Sequence, residues 1–150
     1  MESLANERYQ NGAWLDAIDW YEKAAENGRT RASYRIACAR EQIGEYDEAK
    51  REFETLLDNS SDKGEIYAHL LSIAEITGAE AEESAKYRLG ILQHGVQHAH
   101  GNEAQWLEQT EKQGLSGMAE RMLSHLPEIR EEREKEAQRK ADEEMLMLLL

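Results

Sequence analysis

Residues 44–57 read GEYDEAKREFETLL, and their spacing decides the fold. Glycine at 44 permits a tight turn, alanine at 49 lets two helices approach closely, and the aromatic ring at 53 fills the next layer. Apolar positions at intervals of three and four lie on one stripe of a helix, and that stripe needs a neighbour to cover it. The same pattern recurs 32 residues earlier, where Gly12, Trp14, Ala17, Tyr21 and Ala24 fall on Gly44, Tyr46, Ala49, Phe53 and Leu56. Upstream, Leu4-Ala5 falls on Ile36-Ala37, so two consecutive helix pairs are predicted.

Two further units extend the series. The third runs from Glu65 to Leu92, with Leu70-Leu71 ahead of Gly78 and with Ala85, Leu89 and Leu92 behind it after two extra turn residues. The fourth has Trp106-Leu107 ahead of Gly114, then Ala119, Leu123 and Leu126 before Pro127 stops the helix. Eight repeat helices and a ninth from about Pro127 are expected, with breaks at Asn27-Gly28, Asp58 to Ser61 and Gly95 to Asn102. YRLGILQHG at Tyr87 to Gly95 reads like the first helix of a pair, which leaves helix parity after Gly78 open. A single proline and 7% aromatics, in a chain dominated by alanine, leucine, glutamate and basic residues, favour an all-α class. The expected organisation is a helical repeat domain at 1–126 and a charged helix with an apolar tail at 127–150.

Residues 44–57 resemble the second-helix pattern of the tetratricopeptide repeat family: glycine, aromatic, alanine, aromatic. AIDWYEKAAENGRTRASYRIA at Ala17 to Ala37 and EAQWLEQTEKQG at Glu103 to Gly114 look more like the related SEL-like repeats. The resemblance covers most of Met1 to Leu126. It implies a right-handed α-α superhelix, a solenoid of about four helix pairs with a long C-terminal helix, that binds a peptide or protein on its concave face and carries no chemistry. Carried over residue by residue, it places Asn6, Tyr9, Arg31, Tyr34, Arg35 and Cys38 on the groove, followed by His69 and Ser72. Two arginines, two tyrosines and a histidine suit a peptide carboxylate or a phosphate, since guanidinium binds such groups through paired hydrogen bonds. Some members of the family clamp acidic chaperone tails, but here Cys38 stands where the second clamp asparagine would be.

The formal net charge of −13 would repel nucleic acid and anionic membranes, and a basic or neutral partner fits it better. The charge is uneven: Arg40 to Glu83 holds thirteen acidic residues against four basic ones, just after Arg29, Arg31 and Arg35, so two oppositely charged surfaces are expected. No GxGxxG, GxxxxGK[ST], GxSxG or HExxH motif is present, and no enzyme activity, cofactor or metal is expected. His94, His98 and His100 in QHGVQHAHG offer three imidazoles for a metal, but two glycines and a lack of nearby ligands favour a polar loop. Trp14, Trp20 and Trp106 fall at helical spacing among apolar residues and are expected in the interior. A start without basic or long apolar character points to a cytoplasmic protein, and no apolar run reaches membrane-spanning length.

Charges four apart from Glu128 to Glu144 predict a solvated helix, and MLMLLL at its end needs a cover. Met145, Leu146, Leu148 and Leu149 are the candidates for self-association into a homo-oligomer, the other covers being a groove or a partner. Three functional readings follow: an adaptor or scaffold holding a protein or peptide; an accessory repeat domain or subunit of a larger enzyme, such as a bacterial glycosyltransferase or polysaccharide system; and a small metal-binding protein using the His94 to His100 loop.

Overall fold

The computed structural model describes residues 14–25 and 30–150, and among them every regular element is helical. The helices are α1 (Trp14–Ala25), α2 (Thr30–Gln42), α3 (Tyr46–Leu57), α4 (Lys63–Thr77), α5 (Ala81–His94), α6 (Glu103–Lys112), α7 (Ser116–Ser124) and α8 (Pro127–Leu148), with a short 3-10 turn at Val96–Ala99 between α5 and α6. The first expected helix, with Asn6 and Tyr9, lies outside the described residues, as do the Asn27-Gly28 break and the side chains of Trp20 and Arg31. Helices α1, α3, α5 and α7 begin at 14, 46, 81 and 116, a recurrence of 32, 35 and 35 residues. YRLGILQHG therefore belongs to the second helix of its pair: Tyr87 to His94 continue α5 without a break.

The turns explain why the pairs recur. Gly44 ends α2 at φ +84, and Glu45 beyond it donates its N–H to the carbonyl of Arg40, five residues back. This left-handed closure satisfies carbonyls at the helix end that otherwise have no partner. Gly78 and Gly114 repeat it at φ +68 and +78, with Ala79 bonding to Ala74 and Leu115 to Thr110. The three glycines matched in the sequence thus share one geometry. α4 is started by Asp62, whose Oδ1 accepts the N–H of Glu65 at 3.1 Å, and α8 by Pro127 in its first turn, where a missing N–H costs nothing.

Each helix packs on the next in sequence, and α5 also meets α7. The main core runs from α2 to α7 and holds Phe53, Leu70, Ile73, Ile91, Leu107 and Met122 fully buried; a smaller cluster of Ala17, Ile18, Ala32, Ile36 and Ala39 joins α1 to α2. Ala49, Ala85 and Ala119, the small residues that follow the glycines, are all buried at helix crossings. Trp106 is buried as expected, and Trp14 is half-buried against the smaller cluster. α4 and α5 approach so closely that a Cβ on Gly90 would meet the Tyr67 ring at 2.5 Å, and one on Gly64 would meet the Gly95 backbone at 2.8 Å.

α8 buries none of its residues; Ile129 packs partly on the core and the Arg133 guanidinium forks onto both Glu111 oxygens at 2.8 Å. Beyond that point it is laced by pairs such as Arg139 with Glu136 and Glu143, and it ends in Met145 to Leu150, 62–96% exposed. No helix among the described residues is long and apolar enough to cross a membrane.

Candidate functional site

The face shared by α2 and α4 is built from two triplets with the same spacing. Tyr34, Cys38 and Glu41 lie four and three apart on α2, and Glu65, His69 and Ser72 repeat that on α4, so each triplet lies along one helix face. The helices then pair equivalent positions 31 residues apart: the Tyr34 hydroxyl donates to Glu65 Oε1 at 2.8 Å, and Cys38 Sγ lies 4.0 Å from His69 Nε2. His69 also bonds across the diagonal, with Nδ1 2.7 Å from Glu41 Oε1 and Nε2 3.0 Å from the Tyr34 oxygen. Its ring stacks on Phe53 of α3 at 4.8 Å between centroids, with planes 9° apart.

Electrostatics assign the protons in this chain. Burial disfavours the imidazolium, but the Cys38 sulfur and then the Glu41 carboxylate more than offset that, raising the His69 pKa to about 10. At neutral pH both ring nitrogens therefore carry hydrogen: Nδ1–H donates to Glu41, Nε2–H donates to the Tyr34 oxygen, and Tyr34 donates onward to Glu65. Burial, the nearby Cys38 and the bond to Glu65 push the Tyr34 hydroxyl well above the usual phenol range. The order Cys38, His69, Glu41 has the connectivity of a nucleophile, base and orienting acid. Cys38, however, is only 4% exposed, so its sulfur is closed off from any substrate. The chain of contacts therefore acts as a polar lock between helices.

Beside this lock lies a cleft of about 650 Å3, bounded by Ser33, Tyr34 and Arg35 of α2, Thr55 and Leu56 of α3, the Asn59 to Asp62 loop, and Glu65 and Ile66 of α4. That size is usual for a ligand pocket. Leu56 and Ile66 give it an apolar floor, and Ser60 shapes the rim by accepting the Asp62 N–H at 3.0 Å. Of the sequence-derived groove residues, the fold brings Tyr34 and His69 together and sets Arg35 on the cleft wall, while Ser72 stands exposed one turn beyond His69. Arg31 sits in α2 with its side chain outside the described residues.

Glu41 and Glu65 are the two participants that the sequence did not single out. Their signal was there, since Glu41 completes the Tyr34 and Cys38 spacing and Glu65 stands one turn before His69. Arg40, at the head of the acidic segment, contacts Glu22 at 2.8 Å, Glu45 at 3.2 Å, Glu52 at 2.8 Å, and Glu48, whereas Arg29 and the side chain of Arg31 lie outside the described residues. The loop histidines do not converge. His94 stacks on Tyr67 at 5.8 Å, His98 Nε2 faces Asp62 at 3.9 Å, and His100 stands exposed in the left-handed region. No group of three or more His, Cys, Asp or Glu among the described residues can hold a metal. Neither a family model nor a curated protein matches the chain.

Proposed function

We propose that this chain is a noncatalytic protein-interaction module, an adaptor or scaffold, built as a tetratricopeptide-like right-handed solenoid of about four helix pairs that binds a peptide or protein on its concave face. The observation that carries this reading is the cleft beside the Tyr34–His69 lock, formed where equivalent helices of successive pairs, α2 and α4, stand side by side. The left-handed glycines at 44, 78 and 114 support the repeat. The burial of Cys38, 4% exposed beside His69, supports a holding role for the site.

Photo-crosslinking tests it. The photoreactive residue p-benzoyl-phenylalanine is placed at Ser61 on the cleft, and separately at Glu120 on α7, and irradiated in native extract. The reading expects one protein crosslinked from Ser61 and not from Glu120, with the pair then reforming from purified components. Equal labelling from both positions would remove the support for a concave site. A second reading concerns the Met145 to Leu150 tail, which is 62–96% exposed on a helix without buried residues: it associates with a second copy. Sedimentation of the full chain beside one ending at Glu144 tests this, since only the full chain should show a concentration-dependent larger species.

A further inference from the structure

Resting on the concave-site reading above, we infer that the cleft takes a basic side chain next to an apolar one from an extended partner segment, and rejects the carboxylate or phosphate that its arginines and tyrosines first suggest. The groups that would serve an anion are already committed. His69 donates both ring hydrogens inside the protein, Tyr34 donates its one hydrogen to Glu65, and Arg35 is itself engaged. Two carboxylates on the cleft keep spare acceptors. Asp62 uses Oδ1 to cap α4 and Glu65 uses Oε1 to accept from Tyr34, and the second oxygen of each carries no hydrogen bond among the described residues.

An incoming anion therefore meets two carboxylates, whereas an ammonium or guanidinium can donate to a spare oxygen. Leu56 and Ile66 line the same cleft as those carboxylates, so the residue beside the base should be apolar. The net charge of −13 adds long-range attraction for a basic segment and repulsion for an acidic one.

The test uses fluorescein-labelled dodecapeptides that pair leucine or isoleucine with lysine or arginine at separations of one to four, beside the same panel with glutamate in place of the base. Binding to the full chain is read by anisotropy. A double variant, Asp62→Asn with Glu65→Gln, removes the charges while preserving the cap and the Tyr34 acceptor; Ser61→Trp obstructs the cleft without changing charge. Circular dichroism confirms that both variants stay folded. The expected result is binding within the basic panel that weakens roughly tenfold in the double variant and is lost in Ser61→Trp. Binding within the acidic panel that Ser61→Trp abolishes overturns this inference and leaves the concave site standing. Binding of the basic panel that neither variant alters also overturns it, and if no peptide binds, both readings fall together.

Discussion

Replacing Glu41 with glutamine removes one of the two partners that raise the His69 pKa, with little change of shape. Moving that pKa from 6.5 to about 10 corresponds to at most ~5 kcal/mol of stabilisation, at about 1.4 kcal/mol per pKa unit. Cys38 and Glu41 share the raising effect, His69 is 27% exposed and Glu41 10%, so the loss assigned to Glu41 is ~2 kcal/mol, in keeping with hydrogen bonds to charged groups. The sign of the pH dependence follows. A folded-state pKa raised above the unfolded value gives stabilisation that is complete below pH 6.5 and lost as pH rises through about 10. Urea unfolding of the parent and Glu41→Gln proteins, followed by far-ultraviolet circular dichroism at pH 6.5, 8 and 9.5, should show a gap of ~2 kcal/mol at the two lower values that has shrunk to ~1 kcal/mol at pH 9.5. A gap that is constant across the range, or absent at pH 6.5, would refute the charged assignment of His69.

Gly64→Ala should destabilise by ~1–3 kcal/mol in a thermal melt, because the new Cβ meets the Gly95 backbone at 2.8 Å and backbone must shift to admit it. Gly44→Ala forces alanine to φ +84 and should cost ~1–2 kcal/mol by the same measure, with the cleft left intact. Phe53→Ala empties a fully buried site and removes the surface on which His69 stacks; ~3–5 kcal/mol is expected in urea unfolding. Ending the chain at Glu144 should leave the melting temperature nearly unchanged, because α8 buries no residue.

The helical pairs were legible because turn chemistry and packing are local in sequence: Gly44, Ala49 and Phe53 each state their requirement within one helical turn of a neighbour. Helix parity after Gly78 was not, because the apolar content of Tyr87 to His94 suits either helix of a pair, and only the continuity of α5 from Ala81 decides it. Tyr34 and His69 could be placed on a shared face by spacing. Their commitment to Glu65 and Glu41 could not, because in a chain this acidic a single glutamate at helical spacing looks like any solvated charge, and the distance between helices is fixed by Phe53 packing beneath them. The histidine loop shows the converse: closeness in sequence ended with rings facing Tyr67, Asp62 and solvent, since α5 stops at His94 and the 3-10 turn redirects the chain.

A partner seated in the cleft between α2 and α4 shields the backbone that lines it. Amide hydrogen exchange, measured on the chain alone and with the protein crosslinked from Ser61, tests that directly. Slowed exchange at residues 33–35 and 55–66 is predicted, with α6 and α7 unchanged. Protection confined to α8 or to α5 through α7 would contradict it.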